Sequence, residues 1–294
     1  MRILIAGGEG QVGREFAEIT EAGLTLLRCG RNDMDITDAQ SIQRAMMHFR
    51  PDAIINAAAY TAVDKAESER ELAFAINAGG TANLARAAQT AGIPLLHIST
   101  DYVFSGDKPV GQAYTEEDVC HPKTVYGQSK WEGDLRALDI CSNTVVMRTS
   151  WVFGRFGGNF PKTMLRLGAE REQLGIVSDQ WGCPTYATDI AITAIAALRA
   201  MSDKHLTPGP YHYAGDSACT WFDLASYTLQ NAVAANQLPK LPLLTPITTA
   251  DYPVPAPRPA NSVLDCSRLI SCVPTITLSD WRKGITTLLA SSKS

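Results

Sequence analysis

Long hydrophobic runs are missing from this chain, and so is any surplus of positive charge. The apolar stretch that opens it, Ile3-Leu4-Ile5-Ala6, reaches glycine after four residues. That is too short for the core of a targeting signal and far too short to cross a bilayer. Lysine and arginine total 26 against 30 aspartates and glutamates, a net charge of -4. A nucleic-acid or membrane-surface partner would normally require a basic excess, so neither is expected. The seven cysteines are odd in number and show no C-x-x-C spacing. In a chain too large to need covalent staples, this implies reduced thiols and a cytoplasmic setting. The five histidines form neither H-x-x-x-H nor H-E-x-x-H, so a structural zinc site is not expected.

What is present is enough apolar residue, 45% of 294, to bury a large core. The first half alternates short β-rich runs (2–6, 24–29, 53–57, 95–99, 144–148) with helical patterns, including a long helix expected from about 65 to 91. That alternation predicts an α/β fold with a doubly wound parallel sheet. Residues 1–154 read as a dinucleotide-binding domain. Residues 155–294 read mainly as a small substrate lobe, with segments near 185–214 returning to the first domain. Prolines crowd residues 239–259, which predicts an extended surface segment. Ser279 is the expected cap of a last helix that begins at Asp280.

Gly7, Gly10 and Gly13 follow the first run and open the first helix. Glycines there permit a tight turn and let backbone approach a pyrophosphate, while the helix N-terminus offers unpaired N–H donors. An ordinary glycine-rich turn is the alternative, but the placement favours a dinucleotide, with Gln11 and Val12 in the same turn. No acid ends the second run to hold a ribose diol. Gly30-Arg31-Asn32 stands there instead, and Arg31 suits a 2′-phosphate. NADPH is therefore the expected cofactor, with NADH possible. Asp35 and Ile36, just beyond, and Ala57-Ala58-Ala59, after the third run, are grouped with the cofactor.

Tyr126 and Lys130 are spaced Y-x-x-x-K, which puts both on one face of a helix. A tyrosine titrating near 10 is a poor proton donor and acceptor until a neighbouring cation stabilises its phenolate. Thr100 follows the fourth run, at the carboxyl edge where parallel sheets present ligands. Its hydroxyl can bind a substrate oxygen or simply close a local turn. Asn77 is a candidate to hold a water linked to Lys130.

This combination resembles the extended short-chain dehydrogenase/reductase family over nearly the whole chain. Asn56 to Glu67, Ser99 to Phe104, Arg148 to Phe153 and Arg258 to Ser262 narrow the resemblance to the dTDP-4-dehydrorhamnose reductase branch. The resemblance implies hydride transfer from NADPH to the 4-keto carbon of a dTDP-linked sugar. In it Tyr126 gives the proton, Lys130 lowers the tyrosine pKa and Thr100 binds the keto oxygen. Val63, Asp64, Lys65, Asp101, Tyr102, Trp151, Asn159, Arg258 and Asn261 would line the substrate side. Some family members hold magnesium through glutamates at a subunit contact. Here Glu15 would be one ligand, but Thr188 stands where a second is expected. No metal is therefore expected, and Glu15 reads as a solvated or first-turn carboxylate. The chain is expected as a monomer or homodimer. A 4,6-dehydratase would need an acidic pair beside Thr100, and Asp101-Tyr102 is incomplete. A regulatory subunit like the methionine adenosyltransferase β subunit would not need the Thr100, Tyr126, Lys130 set.

Overall fold

The structure is a computed structural model and describes residues 1–291. Five strands come from the first half: β1 (Arg2–Ala6), β2 (Thr25–Cys29), β3 (Ala53–Asn56), β4 (Leu95–Thr100) and β5 (Thr144–Thr149). With Gly209–His212 they form a six-stranded sheet, in the order Gly209–His212, β5, β4, β3, β1, β2, and every pairing is parallel. All residues of β3 and β5 are buried. Both faces are covered, which is why these strands read as mostly apolar runs rather than alternating ones, with Arg148 a buried polar residue within β5.

The helices of this half are α1 (Gln11–Glu15), α2 (Ala39–Phe49), α3 (Val63–Ala66), α4 (Arg70–Phe74), α5 (Thr81–Ala91) and α6 (Val125–Ile140). Asp38 caps α2 by accepting from Gln40 N–H, and Thr124 caps α6 by accepting from Gly127 N–H. The single long helix expected over 65–91 is broken. α3 stops at Ala66, α4 restarts at Arg70, and a π-helical turn (Ala75–Gly80) precedes α5. The widened turn lets Gly80 lie against Ile36, where an added Cβ would stand 2.5 Å from that side chain. Local packing thus overrides the uniform alanine-rich pattern.

Beyond Trp151 the chain builds a second, smaller core. α7 (Phe160–Glu170) and α9 (Trp221–Ala234) pack with α11 (Trp281–Ser291) around Leu174, Ile176 and Phe153. Between these pieces the chain goes back. α8 (Ala187–Ser202), the strand Gly209–His212 and α10 (Ser267–Cys272) contribute Ile190, Leu198, Tyr211 and Leu269 to the core of the large sheet. The return of α10 was not legible in the sequence. The proline-rich segment is not wholly irregular either. Leu243–Ile247 pairs in parallel with Gln173–Val177, and Pro246 is tolerated because this is a two-stranded ribbon. Asp280, not Ser279, caps α11 by accepting from Lys283 N–H. The Ser279 hydroxyl instead accepts from Tyr186 N–H and donates to Asp189. Among the described residues no helix is long and apolar enough to cross a membrane.

Candidate active site

The site is a cavity of about 870 Å³ along the carboxyl edge of the sheet. One end is the glycine turn. Gly7 has φ +78, and Gly10 N–H closes the turn onto Gly7 O at 2.9 Å. A Cβ on Gly13 would sit 2.0 Å from Gly7 O, so only glycine lets α1 start this close to β1. The result is a backbone cradle of the shape a pyrophosphate fills. Gly7, Gly10, Gln11, Val12, Ala57, Ala58 and Ala59 line the cavity, while Gly13 lies just behind it. Arg31, Asp35 and Ile36 line the far end. Arg31 is open to solvent and reaches Asp35 at 3.7 Å, and two hydrogen bonds from Thr37 hold the Asp35 carboxyl below its ordinary range. Glu9 also lines this end, pressed against Gly30. A carboxylate from the glycine turn thus stands beside the end of β2, a neighbourhood that the linear sequence hides.

At the other end the first turn of α6 leans on the segment after β4. A Cβ on Gly127 would meet Tyr102 O at 2.2 Å, so this glycine allows the close approach. Tyr126 therefore packs edge-on against Tyr102, with ring centroids 5.5 Å apart. Thr100, Asp101, Tyr102, Tyr126 and Lys130 all line the cavity. The Thr100 hydroxyl donates to Asp101 at 2.9 Å and accepts from Tyr102 N–H at 3.2 Å, and it lines the same cavity as the Tyr126 phenol. Burial pushes the Tyr126 phenol above its ordinary value, against the opposing pull of Thr100. Burial likewise pushes Asp101 up to about 6, with the Thr100 and Ser262 hydroxyls acting against it.

Lys130 is buried and its Nζ donates to Ile98 O at 2.8 Å. Burial brings it down to about 8, and Asp134 works in the other direction. Behind it lie three polar residues that sequence reasoning did not single out: His97, Asp134 and Arg148, all buried. Their one sequence signal is polarity inside runs otherwise committed to the core.

Other expected residues are placed differently. Val63 and Trp151 line the cavity, whereas Asp64 and Lys65 do not. Trp151 has φ +48 and stacks on Trp221 at 3.4 Å between ring centroids. Arg258 is drawn onto Asp64 at 2.6 Å, outside the cavity lining. Asn159 is occupied as the cap of α7, accepting from Lys162 N–H and donating to Gln11 and Gly154. Asn261 is buried and donates to the carbonyls of Pro109 and Gln112, so its amide organises a loop. Asn77 clamps the backbone of Tyr60 and donates to Ser129, so both hydrogens of its amide are committed. Glu15 is not solvated. It is fully buried, paired with Arg155 at 2.7 Å and bonded by the Thr188 hydroxyl at 2.8 Å.

Comparison with known proteins agrees with this geometry. The family described as "RmlD substrate binding domain" matches residues 1–294. The chain belongs to the dTDP-4-dehydrorhamnose reductase family. The dTDP-4-dehydrorhamnose reductase of Aggregatibacter actinomycetemcomitans is 41% identical over 98% of both chains, and that of Escherichia coli K12 is 38% identical over 98% of this chain and 97% of its own. Among solved structures, the Bacillus anthracis dTDP-4-dehydrorhamnose reductase in complex with NADP superposes with a TM-score of 0.88 at 33% identity, covering 99% of each chain.

Proposed function

We propose that this chain reduces the 4-keto group of dTDP-4-dehydro-L-rhamnose to the hydroxyl of dTDP-L-rhamnose with NADPH, in nucleotide-sugar biosynthesis. The observation that carries the reading is the meeting of Thr100, Tyr126 and Lys130 in the one cavity that begins at the glycine cradle. The family's relatives, named as such reductases over nearly full length, supply the sugar and the nucleotide. The cradle of Gly7, Gly10 and Gly13 fits a dinucleotide, which would supply the hydride when bound.

The chain's own part is positioning and proton transfer. Thr100 Oγ and the Tyr126 hydroxyl converge on the keto oxygen, and Tyr126 gives it the proton as negative charge develops there. Lys130 acts as an ammonium that favours the tyrosinate left behind. It also holds the ribose of the nicotinamide half. Trp151 and Val63 flank the sugar. Arg31 pairs with the 2′-phosphate, while Glu9 and Asp35 can accept from a ribose diol, so NADH stays usable. Seven free cysteines suit a reducing cytoplasm.

Tyr126→Phe tests the reading. General acid–base groups contribute roughly 100- to 10,000-fold. The variant should lose at least about two orders of magnitude in kcat while binding NADPH as before. More than about a tenth of wild-type kcat remaining would remove Tyr126 from its role.

A further inference from the structure

The buried polar cluster behind Lys130 lies outside the reacting atoms, yet its hydrogen-bond directions are fixed. Asn56 Oδ1 accepts from Ala58 N–H at 3.1 Å. That contact settles the amide orientation, so Asn56 Nδ2 is the atom facing His97 Nδ1, at 3.0 Å. An amide NH₂ can only donate, so Nδ1 accepts and the imidazole proton sits on Nε2. His97 Nε2 lies 3.3 Å from Lys130 Nζ and 3.5 Å from Asp134 Oδ1. Asp134 is in turn held by Arg148 at 3.4 Å. A neutral His97 therefore turns an N–H, not a lone pair, toward the lysine.

We propose that His97, locked by Asn56 in its Nε2–H tautomer, and Asp134, anchored by Arg148, are positioning residues that set the charge state of Lys130 from behind. Asp134 favours the ammonium. The His97 N–H and the Arg148 guanidinium oppose it, the first by donating where a lone pair is needed and the second by claiming part of the Asp134 charge. The inference rests on Lys130 serving as the ammonium beside Tyr126 in the proposed reaction.

The surroundings leave few other influences. From β4 the neighbours are His97 and the Ile98 carbonyl, with Asp101 just beyond the strand. α6 presents Tyr126 and Asp134, and β5 presents Arg148. The turn before α5 and α5 itself contribute only uncharged Asn77 and Thr81. Arg70 of α4 is turned to Gln128 on the exposed side. Cys120 lies against Arg148 and its thiol is raised by burial. The titration behaviour is consistent with this balance. Burial and the Lys130 charge take His97 down to about 4, with Asp134 opposing. Burial alone would raise Asp134, but His97, Arg148 and Lys130 together bring it below its ordinary value.

The test is the pH profile of kcat/KM, with the pH dependence of NADPH affinity followed by fluorescence as a second readout. Asp134→Asn removes the favourable charge, so the basic limb should move to lower pH by roughly one to three units. Arg148→Gln frees Asp134 and should move the limb the other way. Asp134→Glu should restore the wild-type profile. Shifts of the same sign in Asp134→Asn and Arg148→Gln, or losses equal at every pH, overturn the proposal. Long-range ¹⁵N–¹H spectra of histidine-labelled wild type give a readout that needs no variant to fold and no substrate. His97 should be neutral and protonated on Nε2 from about pH 5.5 to about 9, a window that begins roughly one and a half units above its lowered titration near 4, and an Nδ1–H form overturns the proposal. If Tyr126→Phe stays active while the spectra show the Nε2–H form, the reaction reading has failed and the tautomer lock has not.

Discussion

Asp101→Asn probes the charge buried beside the Thr100 hydroxyl. Asp101 is fully buried in contact with the cavity, and burial takes its carboxyl from an ordinary 3.8 up to about 6. The folded value lies above the unfolded one, so the folded protein binds this proton more tightly. Stability linked to Asp101 is therefore fully present below about pH 4 and is lost as pH rises through about 6. At 1.36 kcal/mol per pKa unit, the gap corresponds to on the order of 3 kcal/mol at neutral pH. Asparagine keeps the shape, and its Oδ1 can still accept from Thr100, but it carries no charge. Whatever the amide costs in packing is the same at every pH. The pH-dependent part of the difference between variant and wild type then isolates the carboxylate. Urea unfolding at pH 4.5 and pH 8 should show the variant gaining on the order of 2 kcal/mol relative to wild type between the two. A difference that stays constant with pH, or that shifts in favour of wild type as pH rises, would refute the reasoning.

Two further outcomes follow from contacts described above. Arg31→Ala should lower kcat/KM for NADPH by roughly 10- to 100-fold, the loss of a charge-assisted contact, and leave NADH nearly unchanged because Glu9 and Asp35 remain; equal losses with both cofactors would make Arg31 a structural residue. Arg155→Ala strands the Glu15 carboxylate in the core and should cost about 3 kcal/mol in chemical denaturation, with Glu15→Gln in the same chain recovering most of it; an unchanged midpoint would mean that Thr188 alone satisfies Glu15.

How much of this could be read from the sequence depends on the range of the determining contacts. The parallel sheet was legible because the strands of the first half are short, mostly apolar runs that alternate with helical patterns, and the Tyr126–Lys130 spacing is local to one helix. Glu15, Glu9, Asp134 and Asn261 were not legible, because their roles depend on residues far away in the chain. Glu15 meets Arg155 and Thr188, and Asn261 meets a loop about 150 positions earlier. Arg258 shows the same limit in reverse. The resemblance puts it on the substrate side, but in space its guanidinium is paired with Asp64. The π-turn at Ala75–Gly80 escaped because alanine and glycine fit an α-helix and a π-turn alike.

The interleaving of the two cores bears on how such a chain can be divided or recombined. After β5 the chain enters the small lobe with α7, returns with α8 and Gly209–His212, leaves with α9, returns with α10 and leaves again with α11. Neither lobe is a continuous cassette. A swap of substrate lobes between relatives would need at least three separate splices, each cutting through a packed surface. Variation in what the site accepts is therefore expected to enter by single replacements around Trp151 and Val63 rather than by exchange of the lobe as a block.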